Sequence, residues 1–305
     1  MPRHLAAPDA SGNLRGILLM VASMALFAIE DMFLKLAAAS LPVGQIIFVS
    51  GAFAIPVFWA LARREGAPFL TRDLLHPALL LRNLGEVVGS LGYVAALAAV
   101  PLSTVSAVLQ ATPLAVTMGA ALFLGERVGW RRWTAILVGF AGVLLVVQPG
   151  GAEFRPQALW VLVTVAGIAL RDLATRAVPA RITTHQISAW GVTSVALLGL
   201  AMMAITGKGQ LPSLPETASL AGALVFGTSG YWAITAAMRE GEVSVVSPFR
   251  YTRLVFAMSL GILVFAERPD ALTLFGAAVI IGSGLYAFAR ERARKRALSQ
   301  SPSAG

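Results

Sequence analysis

AALAAVPLSTVSAVLQATPLAVTMGAALFLGER, residues 95–127, returns 141 positions later as AAMREGEVSVVSPFRYTRLVFAMSLGILVFAER, residues 236–268. The shift lays Glu126 on Glu267, Gln110 on Tyr251 and Thr112 on Arg253. It also brings Asp31 onto Asp172 and Lys35 onto Arg176, in a different pair of apolar runs. One gap-free shift across three separate runs marks a duplicated unit. The last run needs a single-residue slip, which sets Gly142 on Gly284. The copies meet at QPGGAEFRP, residues 148–156, a stretch that favours turns.

The chain of 305 residues is 57% hydrophobic and 13% charged, where a soluble domain carries roughly 25% charge. Mean hydropathy is +0.76. Ten apolar runs approach the ~20 residues that cross a bilayer core. They lie near 15–37, 44–62, 78–99, 102–124, 131–149, 157–177, 185–206, 218–238, 243–265 and 271–290. The first is too long for a secretory h-region and runs into Glu30 and Asp31, so it reads as a span. The fold expected is an all-α integral membrane protein: ten transmembrane helices as two five-helix repeats, 15–149 and 156–290, around a central cavity. Residues 1–14 and 291–305 are expected to be cytoplasmic tails, the first disordered, the second basic and then disordered.

Five spans per repeat is an odd number, so the second copy enters the membrane inverted. The basic residues agree. With the N-terminus cytoplasmic, 16 of the 24 Lys and Arg, Arg3 and Arg127 among them, fall on cytoplasmic segments. Lys35, Arg155, Lys208 and Arg268 fall on the other face, and Arg82, Arg171, Arg250 and Arg253 lie inside spans. The net charge of +9 is thereby explained by topology, not by nucleic-acid binding. There are no cysteines, and His4, His76 and His185 are isolated, so neither thiol chemistry nor a metal site is expected. No GxxxxGK[ST] loop and no Ser-His-Asp or Cys-His arrangement occurs. An enzyme, a cofactor and an ATPase subunit are therefore not expected.

The two-copy plan, the LGER and FAER ends of the fourth and ninth runs, the glycine-patterned WTAILVGFAGVLLVV and FGAAVIIGSGLYAF, and ALAAVPLSTVSAVLQATPL together resemble the drug/metabolite transporter superfamily, in its ten-span EamA-type branch. The resemblance covers nearly the whole chain. It implies a bacterial inner-membrane carrier with both termini cytoplasmic, working by alternating access. The chain looks most like bacterial amino-acid exporters, aromatic ones included. It is also similar to the riboflavin and S-adenosylmethionine uptake branches.

A charge at membrane depth costs ~2.5–3.5 kcal/mol on insertion scales and normally faces a partner or water. Arg250 and Arg253 share a helix face and lie ~10–15 Å into their span, at about the depth of Glu86. They read either as substrate ligands or as one side of fixed ion pairs. Arg82 and Glu86 are spaced i, i+4 and can pair within one helix. Arg171 and Asp172 read as a structural pair, because adjacent residues cannot both face one cavity. Lys35 is i+4 from Asp31 and is expected to neutralise it, which leaves Glu30 as a cavity or proton-relay carboxylate. Tyr93, Tyr231, Trp232 and Trp190 are candidate aromatic walls. Gln110 and Thr112 break an apolar face opposite the arginines. Pro113 and Pro248 are candidate hinges, and Glu126 and Glu267 read as fold markers. Gly85, Gly89, Gly92, Gly227 and Gly230 serve close packing or leave room for a ligand.

The function expected is export of neutral or aromatic amino acids, or similar small amphipathic metabolites, by a secondary carrier in a lipid bilayer. Uptake of a vitamin or nucleoside-like cofactor is the alternative within that class. A passive channel or membrane scaffold is the alternative outside it. Whether the chain is a monomer or a homodimer is not written in the sequence.

Overall fold

A computed structural model describes residues 10–300 apart from 127, 152 and 153. The first half contains α1 (Ala10–Ala38), α2 (Val43–Arg64), α3 (Pro77–Ala99), α4 (Leu102–Leu109), α5 (Thr112–Phe123) and α6 (Trp130–Val147). The second contains α7 (Leu159–Thr175), α8 (Thr184–Thr206), α9 (Leu214–Glu240), α10 (Val243–Val246), a 3-10 turn (Ser247–Tyr251), α11 (Thr252–Phe265) and α12 (Ala271–Gln300). Among the described residues there is no strand. Nine helical stretches among the described residues are long and apolar enough to span a membrane, with α4–α5 counted as one and the 3-10 turn with α11 as another. The remaining run is α3, whose apolar average is diluted by Arg82, Asn83 and Glu86. Large apolar side chains such as Phe53, Phe123, Leu137 and Phe275 stay exposed around the bundle, as lipid contact requires.

The end helices extend beyond the expected spans. α1 begins at Ala10, and α12 runs to Gln300 through Ala, Arg, Lys, Leu and Gln. Such residues are good helix formers, and extending a formed helix needs no new nucleus. Residues 1–9 and 301–305 of the expected tails, and Arg127, lie outside the described residues.

Packing follows the repeat. α1 lies against α9, α3 against α7, α2 against α8, α6 against α12 and α4 against α11. Under the 141-residue shift α1 corresponds to α7 and α3 to α9, so the first two contacts exchange. The α2–α8 and α6–α12 contacts return to themselves, as a pseudo-two-fold axis requires, whereas the counterpart of the α4–α11 contact is the pair formed by the 3-10 turn and α5. Gln110 marks that axis: its Nε2 donates to the carbonyl of its own counterpart Tyr251, 3.2 Å away.

The spans that carry this contact are broken at corresponding places. α4 ends before Gln110 and α5 restarts at Thr112, while the 3-10 turn gives way to α11 after Tyr251. Pro113 and Pro248 each stand in the first turn of a segment. A missing N–H leaves no acceptor unpaired there, so both prolines open segments and do not kink a continuous helix.

Close crossings explain the glycines of α3. A Cβ on Gly167 of α7 would stand 2.3 Å from the amide nitrogen of Gly89, and one on Gly85 2.5 Å from that of Arg171. These residues let backbones touch and line no ligand space. At one membrane face, Arg181 donates to Asp73 (2.6 Å) and His185 Nδ1 lies 2.5 Å from Glu65, tying the α2–α3 link to the α7–α8 link. The Arg181 hydrogen bond holds the Asp73 carboxyl below its ordinary range, and Thr183 and then His185 do the same for Glu65.

Gly167→Ala should cost about 1–3 kcal/mol of stability through overpacking, read as a lowered Tm in detergent. Gly282→Ala, which meets nothing within 4 Å, is the neutral control. For Asp73 the folded pKa is depressed. Its stabilisation is thus complete above the ordinary carboxylate value, about 4, and is lost as pH falls through the folded value. Asp73→Asn should lower Tm at neutral pH and leave it unchanged in acid.

Candidate functional site

Breaking two spans at the axis opens a cavity of ≈ 620 Å³. Its inner end is formed by Tyr93, Gln110 and Arg253. One wall is α5 with Thr112, Pro113 and Thr117, and the facing wall is the 3-10 turn with Ser247, Pro248 and Arg250. Arg171, Asp172 and Arg176 enter from α7, and Phe27 and Phe288 supply aromatic surface. The lining continues to Arg132 and Glu291, which pair at 3.1 Å at the ends of α6 and the apolar part of α12. A smaller hollow of ≈ 410 Å³ lies at the opposite end of the bundle, lined by Pro101, Ser103, Thr104, Glu267 and Asp270.

At the inner end a buried carboxylate is satisfied by an arginine. Asp31 is 1% exposed. Arg253 donates to it through Nε (3.1 Å) and through Nη2 (2.7 and 2.9 Å), a fork that matches both carboxylate oxygens. The Tyr93 hydroxyl also donates to Asp31, and Arg253 donates to the Tyr93 oxygen at 3.2 Å. The guanidinium sits 5.3 Å from the centre of the Phe27 ring. Lys35 does not neutralise Asp31, contrary to the i+4 expectation. Its Nζ turns instead to the carbonyls of Leu97 and Val100 at the end of α3, with Glu267 3.9 Å away. A helix C-terminus concentrates unsatisfied carbonyls and attracts a cation.

Behind the cavity wall, Glu86 bridges Arg82 (2.7 Å) and Arg171 (3.3 Å), and Arg171, which does line the cavity, also holds Asp172 at 2.9 Å. The Arg171–Asp172 pair forms as expected, yet both residues line the cavity. The long arginine side chain folds back along the wall, so adjacency does not separate them. Arg250 is different. It is exposed to the cavity, feels Asp172 electrostatically, and takes no hydrogen bond or ion pair among the described residues.

The structure thus brings Tyr93, Gln110, Thr112, Arg250 and Arg253 around one cavity, while Glu30, Glu86, Trp190, Tyr231 and Trp232 lie elsewhere. Glu30 packs its carboxylate against Gly227 of α9. By the shift, Glu30 is the counterpart of Arg171 and Gly227 that of Glu86, so an ion pair in one half is a carboxylate on bare backbone in the other. Trp190 is buried and donates its indole N–H to the Phe69 carbonyl at 3.0 Å. Tyr231 and Trp232 are 51% and 68% exposed on the outside of α9, because that helix turns Gly222, Gly227 and Gly230 towards α1. Phe27, Ser247, Tyr251 and Phe288 also line the cavity, and sequence spacing does not single them out. Of these, only Ser247 carried a local signal, a polar residue beside Pro248 in an apolar run.

The chain belongs to the EamA-like transporter family, whose model matches residues 14–148 and again residues 155–288. It is similar to the pseudopaline exporter CntI of Pseudomonas aeruginosa (28% identity over 87% of this chain and 93% of the relative). It is also similar to an S-adenosylmethionine uptake transporter of Rickettsia prowazekii (25%, covering 92% and 94%) and to a riboflavin transporter of Vibrio cholerae (29%, covering 88% and 91%). A solved crystal structure shares the fold with a TM-score of 0.58 and 19% identity, over 92% of this chain and 98% of that one. The chain is a membrane transporter and not an enzyme.

Asp31→Asn should cost about 3–5 kcal/mol, because it leaves the buried Arg253 uncompensated. Adding Arg253→Gln should recover part of that loss. Arg250→Gln, with no partner to strand, should change unfolding in detergent by about 0.5 kcal/mol or less.

Proposed function

We propose that the chain is a secondary carrier that exports amino acids, or small amphipathic metabolites of similar build, from a bacterial cytoplasm by alternating access. The observation that carries this reading is Arg250, a cation on the cavity wall that no described side chain engages by hydrogen bond or close ion pair. A substrate carboxylate completes it. Asp172, 43% exposed in the same wall, offers an anion to an ammonium group. Phe27, Tyr251 and Phe288 give the side chain an apolar surface to lie on. The volume, ≈ 620 Å³, falls within the ~300–1,000 Å³ of ordinary small-molecule sites.

The direction of opening supports loading from the cytoplasm. The cavity mouth carries Arg132 and Arg176, and the positive-inside rule assigns that face to the cytoplasm of the inner membrane. Uptake remains the second reading, favoured by the relatives that take up S-adenosylmethionine and riboflavin. The first of these substrates itself bears an α-amino-acid group, which the same pair of side chains would bind.

Counterflow of labelled neutral and aromatic amino acids in proteoliposomes tests the reading. Saturable counterflow is expected, with Arg250→Gln weakening apparent affinity about tenfold or more, as loss of a charge-assisted hydrogen bond implies. Ion conductance without counterflow would instead identify a channel, and rescue of a vitamin auxotroph would favour uptake.

A further inference from the structure

At the end of the bundle away from the cavity mouth, two charges close the α3–α4 link. α3 ends at Ala99 and α4 begins at Leu102, so unsatisfied carbonyls and amides lie on either side of Val100-Pro101. Lys35 of α1 donates to the carbonyls of Leu97 (3.2 Å) and Val100 (2.5 Å). Glu267, just past α11, accepts from the N–H of Leu102 (2.5 Å), the N–H of Ser103 (3.0 Å) and the Ser103 hydroxyl (2.7 Å). The two charges stand 3.9 Å apart, 16% and 8% exposed. A cation thus sits on helix-ending carbonyls and an anion on helix-starting amides, each the favourable sign for its dipole end. Together they pin α1, α3, α4 and α11 at one point.

The repeat carries Lys35 to Arg176 and Glu267 to Glu126. These also pair, at 2.6 Å, but are 50% and 47% exposed, and Arg176 stands at the cavity mouth. The surroundings differ in the same sense. α4 packs on α11, whereas their counterparts, the 3-10 turn and α5, face each other across the cavity. Ser247 lines that cavity. Its counterpart Ser106 is 3% exposed, and its hydroxyl finds no hydrogen-bond partner among the described residues. An unpaired buried hydroxyl is a cost that a second, hydrated arrangement removes.

We propose that Glu267 is the latch that holds the outer end shut, and that Glu126 is its counterpart, closing the inner end when the carrier reverses. In that reversed arrangement Glu267 leaves the start of α4, and the seam around Ser106 opens to water. Glu126 meanwhile closes on the stretch beginning at residue 243. Both glutamates act through the helices they hold and touch no substrate. The inference rests on the alternating-access reading above, but its test uses no substrate, so it can fail while counterflow stands.

The chain has no cysteine, which makes single thiols clean reporters. Ser106→Cys and Ser247→Cys are introduced one at a time into the full chain, reconstituted in liposomes, and their labelling rates with a polar maleimide are measured. Glu267→Gln should speed labelling at position 106 about tenfold or more, the ratio that loss of a charge-assisted hydrogen bond gives, and slow it at position 247. Adding Glu126→Gln should pull both rates back towards the parent. An unchanged rate at position 106 in Glu267→Gln, or a double variant that behaves as the single one, overturns the proposal. Should Ser106→Cys not fold, the position 247 rates decide alone: slowing by Glu267→Gln and reversal by Glu126→Gln sustain the latch, and their absence overturns it.

Discussion

Inside a bilayer no water is at hand to complete a polar group, so each must find its partner within the protein or border a hydrated space. That constraint orders the molecule. Two spans are interrupted near mid-membrane, and every interruption frees backbone amides and carbonyls. The prolines stand where a missing N–H costs nothing. Lys35 and Glu267 reach from other helices to cover the ends freed at Val100-Pro101. Thr112 Oγ1 returns to the Leu109 carbonyl (2.7 Å) and Thr252 Oγ1 to that of Phe249 (2.6 Å), closing the breaks beside the axis.

The same constraint sorts the ionised side chains into two kinds. Asp31 with Arg253, and Glu86 with Arg82 and Arg171, are answered by neighbours at hydrogen-bond distance. Their burial is offset by geometry, and removing one member strands the other. Arg250 faces the cavity with no such neighbour. A group left in that condition beside an exposed Asp172 is where an external ligand has the most to gain. The family assignment says that something is carried, and the proposed function reads this pair as the complement of its charges.

Much of the architecture could be read from one offset. The shift of 141 puts Gln110 and Thr112 opposite the arginines, and all four line one cavity; that Gln110 bonds to Tyr251 itself comes from the structure. The i, i+4 link of Arg82 with Glu86 was legible because it lies on one helix. What failed were pairings across helices. Lys35 is one turn from Asp31, but Arg253, 222 positions away, takes the carboxylate, since sequence spacing does not reveal which helix lies opposite. The aromatics failed for a related reason. A tyrosine and a tryptophan next to Gly230 look central until α9 is seen to press its glycines on α1. Near-symmetric repeats also hide where they differ, as Gly227 in the place of Glu86 shows.

The hydrogen bond from Gln110 to Tyr251 joins a residue to its own counterpart. Exchanging the arrangements of the two halves brings the same two residues back beside each other at the axis, although the bond itself, from a side chain to a backbone carbonyl, is not symmetric. Under the alternating access proposed above, that neighbourhood is the fulcrum of a lever whose arms are the half-spans on each side, and a solute held next to it would travel very little while the barriers change places around it.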